Sequence, residues 1–143
     1  MMLPVCPKCD VSLIILRFRS IEVDYCVKCG GLWFDQGELE QLVTDTGGHG
    51  DDPWIHALML VSSASVRTKY LCPRCDEPLI ESSIPGGPCL DVCPQHHGIW
   101  FDKGELQQVL RLAPETAGAS RAIEFLNQVF ATHCNPKKKE EDK

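Results

Sequence analysis

Seven of the nine cysteines occur in short motifs with the spacing of metal-binding turns, in three C-x-x-C pairs and one C-x-x-H pair. A C-x-x-C turn presents two thiolates on one side of a metal ion, and Zn²⁺ prefers four soft or borderline ligands in a tetrahedron. Two turns separated by 16 or 17 residues have the spacing of a zinc ribbon. The sequence therefore predicts two zinc ions per chain, with site one formed by Cys6, Cys9, Cys26 and Cys29, and site two by Cys72, Cys75, Cys93 and His96.

Four protein ligands leave no open position on the metal, which favours structural rather than catalytic zinc. We therefore expect a chain that is not an enzyme and has no catalytic residues. Iron is an alternative metal for the four thiolates of site one, whereas the histidine of site two favours zinc.

The fourth ligand of site two has two main candidates, His96 and His97, and Cys89 is a remote third. An alignment of the two tryptophan motifs without a gap places His96 opposite Cys29. We therefore predict that His96 binds the metal and that the ring of His97 points outward.

The two ligand sets belong to an internal repeat. Segments 6–39 and 72–106 share a C-P-[K/R]-C motif, a second pair of ligands and then the motif W-F-D-x-G-E-L. Equivalent residues are 66 positions apart before a one-residue insertion and 67 after it. Such a repeat predicts two copies of one structural unit.

Each copy has the pattern of a β-hairpin. In the first copy, residues 12–18 are strand-like, and Ile21, Val23 and Tyr25 then alternate with polar residues, as in a half-buried strand. A hairpin with a ligand pair at each end is the arrangement of a zinc ribbon.

A short helix is predicted after each hairpin. Asp35 is expected to cap the first of these helices with Glu38 as its reciprocal partner, and Asp102 and Glu105 repeat this spacing. The predicted fold class is a small metal-stabilised α+β protein with two tandem zinc-ribbon repeats, each a β-hairpin plus a short helix, together with a linking helix and a C-terminal helix.

Helical spacing and loop composition divide the chain into five segments. Pro53 is expected to open a linking helix that runs toward Arg67, and a final helix is expected from Pro114 to about Thr132. The predicted segments are repeat one at 4–46, a linker and connecting helix at 47–69, repeat two at 70–112, a C-terminal helix at 113–135 and a disordered tail at 136–143.

The composition predicts a cytoplasmic protein that does not span a membrane. No apolar run in the 143 residues reaches the roughly 18 residues of a membrane span. The first cysteine pair begins at residue 6 with no signal segment before it, so we expect reduced cysteines rather than the disulfides of a secreted protein. The net charge of −6 makes nucleic acid an unlikely partner, because proteins that bind phosphate backbones normally carry positive charge.

Four further residues receive structural interpretations. Cys89 and Cys134 are expected to be spare thiols that bind no metal. Trp33 and Trp100 are expected to cover the junction between ribbon and helix rather than to form a stacking platform.

Both copies resemble the small bacterial and archaeal zinc-finger family named after the zinc ribbon of transcription factor IIB. The segments that carry the resemblance are 23–39 and 90–106, each with its C-P-x-C motif upstream. The resemblance implies a zinc-ribbon fold and zinc binding, and it does not imply a role in transcription. The second copy departs from the family pattern, because His96 replaces the fourth cysteine and His97 replaces the first glycine.

From these observations we expect a non-enzymatic zinc-binding module that serves as a protein–protein interaction or adaptor protein. One alternative is a zinc ribbon that binds nucleic acid. Another is a thiol-redox switch that releases zinc on oxidation, which a position of Cys89 close to site two would favour.

Overall fold

A computed structural model describes the backbone of residues 4–58 and 66–140, and side chains up to residue 130. Its elements are β1 (Ile14–Phe18), β2 (Ile21–Tyr25), β3 (Leu32–Asp35), α1 (Glu38–Asp45), α2 (Pro53–Ala57), β4 (Val66–Leu71), β5 (Pro78–Ser83), β6 (Cys89–Val92), β7 (Gly98–Phe101), α3 (Glu105–Arg111), a 3₁₀ turn (Glu115–Ala117) and α4 (Ser120–Glu140).

One antiparallel sheet runs through both repeats, with the strand order β1-β2-β3-β7-β6-β5-β4. The repeats meet where β3 pairs with β7, and Trp33 lies opposite its equivalent residue Trp100 in this pairing. The two flanking pairs, Leu32 with Phe101 and Phe34 with Ile99, are equivalent to each other in the repeat, so an approximate two-fold axis passes between the tryptophans. The two ribbons are therefore halves of a single sheet.

The central strands are buried on both faces. Because side chains alternate along a strand, Trp33 and Trp100 project to one face, where they pack among the cysteines. Phe34 and Phe101 belong to the core on the other face, together with apolar residues of the helices, and their ring centroids are 5.6 Å apart in an edge-to-face pair. Large aromatic groups dominate the burial of a small core, and here they lie at the strand pair that joins the repeats.

The predicted hairpin strands of the first copy are confirmed by β1 and β2. The strands β3 and β7, which contain the W-F-D motifs, were not predicted. Their alternation is invisible in the sequence because both of their faces are apolar and covered.

Helices α1 and α3 begin after glycines rather than after the predicted aspartate caps. Gly37 and Gly104 precede the first helical residue, with φ values of 91° and 85°. The reciprocal half of the prediction is correct, since Glu38 Oε1 accepts the N–H of Asp35 at 3.1 Å and repeat two has the same bond. The prediction that the Asp35 side chain caps the helix is wrong, because no side chain caps α1.

The predicted linking helix is much shorter than expected. Pro53 does open α2, but this helix ends at Ala57. Val66 and Arg67 lie in the edge strand β4, where they pair with β5, so the prediction of a helix reaching Arg67 is wrong. Residues 59–65 lie outside the described residues.

The predicted C-terminal helix is present but has different ends. It begins at Ser120, after the 3₁₀ turn, and extends to Glu140. The predicted disordered tail therefore disagrees with the structure at 136–140, and residues 141–143 lie outside the described part. Within the described residues, the helices are too short or too polar to cross a membrane.

Candidate metal centres

The first ligand pair of each repeat lies in a tight turn whose amides point at sulfur. The N–H groups of Lys8 and Cys9 donate to Cys6 Sγ at 3.3 and 3.2 Å. The turn is closed by the N–H of Asp10, which donates to the carbonyl of Cys6 at 3.0 Å, and Asp10 has a φ of 64°. The equivalent turn of repeat two has Asp76 at a φ of 62°. Such amide donors stabilise negative charge on the sulfur.

Site one brings together the four cysteines that the sequence indicated. Their sulfur atoms all lie within 4.8 Å of one another, and the sulfurs of Cys6 and Cys29 are 3.8 Å apart. The turn of the second pair is closed by the N–H of Gly30, which donates to the carbonyl of Cys26 at 2.8 Å. Gly30 has a φ of 79°. In all three C-x-x-C turns, the residue after the second cysteine is therefore left-handed.

Site two is completed by His97 and not by His96. A ring nitrogen of His97 lies within 4.8 Å of the sulfurs of the three cysteines of this site, and its Nδ1 is 3.4 Å from Cys93 Sγ. His96 is exposed and is not a member of the group. The prediction that His96 binds the metal and that His97 points outward is therefore wrong in this structure.

The reason is a shorter turn in repeat two. The N–H of His96 donates to the carbonyl of Cys93, three residues earlier, at 2.9 Å, whereas in repeat one the N–H of Gly30 donates to the carbonyl of Cys26, four residues earlier. His96 then takes the left-handed conformation, with a φ of 65°, one position before the ligand instead of one position after it. An imidazole is larger than a thiol. His97, one residue later than the position equivalent to Cys29, therefore supplies the fourth ligand of site two. An alignment without gaps cannot detect this shift.

Metal binding at both sites must displace protons from thiols. Burial raises the pKa of Cys6 to about 11 and that of Cys72 to about 12. Burial also acts to raise the pKa of Cys26, but backbone hydrogen bonds from Cys29 and Lys28 bring it below its ordinary value. Zinc binds thiolates, so its affinity falls as the pH falls. Donor sets of four sulfurs, or of three sulfurs and an imidazole nitrogen, are those of structural zinc, and the two groups fit two zinc ions.

A basic residue in the first turn of repeat two forms ion pairs with repeat one. Arg74 donates through Nε to Asp35 at 2.8 Å and through a terminal nitrogen to Asp24, which is buried in β2. The hydrogen bond to Asp35 raises the pKa of Arg74 above its usual range. Burial raises the pKa of Asp24, although the charge of Arg74 acts against this rise.

A basic residue in the first turn of repeat one likewise forms ion pairs with repeat two. Lys8 Nζ lies 3.1 Å from an oxygen of Asp91 and 3.4 Å from one of Asp102. Burial acts to lower the pKa of Lys8, but the two carboxylates raise it above its ordinary value. Sequence reasoning missed this exchange. Its signal is one base and two aspartates at equivalent positions in both copies, but the sequence does not say which copy supplies the partner.

Each tryptophan is accommodated by a glycine of the other repeat. The indole N–H of Trp33 donates to Asp35 at 2.8 Å, and a Cβ atom at Gly98 would lie 2.7 Å from Trp33 Cζ2. A Cβ at Gly31 would lie 2.8 Å from Trp100 Cη2 and still closer to Cζ2. Both rings are fully buried in a cluster with cysteines of both sites. The indole N–H of Trp100 donates to Asp102 at 3.0 Å, so each ring also contacts the aspartate that lies between the ribbon and the helix of its own repeat.

The carboxyl groups that precede α1 and α3 are perturbed by burial. Burial raises the pKa of Glu38 to about 7, and the charges of Asp35 and Asp24 add to the rise. Burial also raises the pKa of Glu105. Since Glu38 accepts the N–H of Asp35, its perturbed pKa accompanies a structural hydrogen bond.

Cys89 is remote from the metal centres along its strand. It begins β6, whereas Cys93 follows the end of this strand, and four residues of strand span roughly 13 Å. Its sulfur lies 3.6 Å from Ser83 Oγ. Cys89 belongs to neither ligand group. The side chain of Cys134 lies outside the described residues.

Together, this fold and these ligand groups define a tandem zinc-ribbon protein in which two ribbons share one sheet. A family model described as "Transcription factor zinc-finger" matches residues 5–45 and again residues 71–112. These matches cover more than half of the chain, so the chain belongs to this family and carries two copies of its domain. No curated protein and no solved structure is significantly similar to the chain. The resemblance noted in the sequence is thus confirmed, and it establishes fold and zinc binding rather than an activity.

Proposed function

We propose that the protein is a non-enzymatic, zinc-stabilised module that binds another protein in the cytoplasm, as an adaptor does. The observation that carries this proposal is that both metal groups have four protein ligands and are joined through a shared core. Such sites offer no open coordination position for a substrate. What they provide is a rigid surface, which lowers the entropic cost of binding a partner.

The surface best suited to contact is a groove beside site one. It has a volume of about 490 Å³ and lies between the second turn of repeat one, the start of α3, and α4. The rings of Tyr25 and Phe130 stand 5.8 Å apart at its wall, and Leu32 and Leu106 also line it. Val27, at its edge, is 64% exposed. This lining favours a partner segment that inserts an apolar side chain.

Nucleic-acid binding is the weaker alternative. Lys8 and Arg74, the bases in the first turn of each ribbon, are partly buried and form ion pairs with aspartates. These two cations are therefore not available to phosphates. The net charge of −6 also opposes approach to a polyanion.

A redox switch is also less favoured. A position of Cys89 close to site two would favour this alternative. Cys89 lies instead at the other end of β6, beside Ser83.

The proposal is tested by retention of proteins from the native host on the immobilised zinc-loaded chain, followed by titration of each purified candidate. Val27→Glu should abolish binding of a true partner, because it places a carboxylate at the position where an apolar side chain of the partner would insert. The matched control is Val66→Glu, which alters a residue that is 63% exposed on the edge strand β4.

Retention that disappears after nuclease treatment would support the nucleic-acid alternative. A purified partner that binds both variants as well as the parent chain would place the contact elsewhere. If no purified protein binds the zinc-loaded chain, the adaptor proposal is wrong.

A further inference from the structure

The two metal centres differ in their donors and in their exposure. Site one has four thiolates, which give a zinc complex a charge of about −2, whereas the three thiolates and imidazole of site two give about −1. Two of the site-one cysteines are buried and two are half-buried. His97, the fourth ligand of site two, is exposed.

The backbone turn that presents His97 is also less favourable than its counterpart in site one. Its left-handed residue is His96, with a φ of 65°. The other three turns place Asp10, Gly30 and Asp76 in this conformation. Glycine adopts it without steric cost, whereas aspartate and histidine tolerate it better than most residues but less well than glycine. The second turn of site two is therefore held with more strain than its counterpart in site one.

The side chains around the two centres also differ in charge, and the difference favours tighter binding of zinc at site one. Lys28 lies within the second turn of site one, and Lys103 packs against that turn, since its Cδ would be 3.1 Å from a Cβ at Gly30. Both lysines line the same groove as Cys29. The equivalent residues beside site two are Gln95 of repeat two and Gln36 of repeat one. Cations thus flank the second turn of the centre with the larger negative charge, and neutral amides replace them at the other.

We infer that the two zinc ions are held unequally, with a permanent zinc at site one and an exchangeable zinc at site two. Lys28 and Lys103 contribute to the difference by stabilising the thiolate complex of site one. This inference rests on zinc binding and not on the proposed contact with another protein.

The test is stepwise removal of metal from the full chain. The protein loaded with two ¹¹³Cd²⁺ ions should give two resonances, one from a four-sulfur centre and one from a centre with three sulfurs and a nitrogen. One equivalent of a strong chelator should abolish the three-sulfur resonance first. In parallel, the zinc-loaded protein mixed with excess chelator should release its ions in two phases of equal amplitude, with rates at least tenfold apart.

Variants assign each phase of zinc release to one of the two sites. Lys28→Gln combined with Lys103→Gln should accelerate the slow phase about threefold and leave the fast phase unchanged, as expected for screened charges near a surface site. Gln95→Lys is the matched reverse change and should slow the fast phase. His97→Cys should slow the fast phase toward the rate of site one.

Release of both ions in one phase would overturn the inference, as would loss of the four-sulfur resonance first. Unchanged kinetics in the double lysine variant would remove the role assigned to Lys28 and Lys103. None of these readouts depends on a partner protein, so their failure is distinguishable from failure of the proposed function.

Discussion

Lys8 Nζ lies 3.1 Å from Oδ2 of Asp91, so the first metal-binding turn of repeat one compensates a buried carboxylate of repeat two. Arg74 does the same for Asp24 in the opposite direction. Each repeat thus depends on the other for the counterion of its own buried aspartate. Removal of one partner from such a pair leaves an uncompensated buried charge, which is the costly case. We therefore expect the two ribbons to fold as one unit.

Arg74→Met should destabilise the zinc-loaded protein by about 2 kcal/mol, because it leaves Asp24 without its counterion while the partial exposure of Arg74 moderates the cost. Urea denaturation at constant zinc measures the change. The control is Arg17→Met, which removes the exposed pair with Glu22 and should cost less than about 0.5 kcal/mol. Equal effects of the two changes would show that the pairs between repeats contribute no more than a surface pair.

Gly31→Ala should destabilise the protein by roughly 3 kcal/mol, because the new methyl group would overlap the buried ring of Trp100. Gly87→Ala is a matched control. A Cβ at that position meets the end of the exposed side chain of Leu112, which can move away. Thermal unfolding of both zinc-loaded variants distinguishes them, and an equally small loss in both would contradict the close approach of Trp100.

His97→Ala should reduce the bound zinc from two ions per chain to one, because it removes a member of the site-two group. His96→Gly should retain both ions and raise the stability by about 0.5–1 kcal/mol, since glycine relieves the left-handed φ of 65°. Metal analysis together with denaturation measures both effects. Loss of zinc from the His96 variant, with both ions retained in the His97 variant, would restore the assignment made from the sequence.

Glu38 should make the protein less stable as the pH rises through neutrality. Its pKa of about 7 in the folded chain lies above the ordinary value of 4.5. Its contribution is therefore complete below pH 4.5 and is lost as the pH rises through about 7. Glu38→Gln keeps an acceptor for the N–H of Asp35 but cannot ionise. At pH 8 this variant should be more stable than the parent by on the order of 2 kcal/mol, and less of this difference should remain at pH 6.

Denaturation of parent and variant between pH 6 and pH 8 measures this difference, and the pH dependence of zinc binding cancels because both chains carry the same ligands. A direct ¹³C titration of the Glu38 carboxyl provides the second readout. A difference in stability that does not change with pH, or an ordinary titration midpoint, would refute the prediction.

The sequence by itself determined the chemistry that is local. Two C-x-x-C motifs with 16 intervening residues are a strong signal of a zinc ribbon, so site one, its metal class and the two copies were predictable from spacing. The hairpin of repeat one was equally visible, because one of its faces is polar. Even the bond from Glu38 to the N–H of Asp35 spans only three residues.

Tertiary structure decided everything that depends on which surfaces meet. The strand of Trp33 shows no alternation of polar and apolar residues, because it pairs with β7 and a core covers each of its faces. The buried aspartates form ion pairs with bases of the other repeat. The choice of His97 over His96 was settled by the path of one turn rather than by residue type. The strand pairing and the ion pairs are contacts between residues far apart in the chain, and a sequence pattern records that two such residues are compatible without recording that they touch.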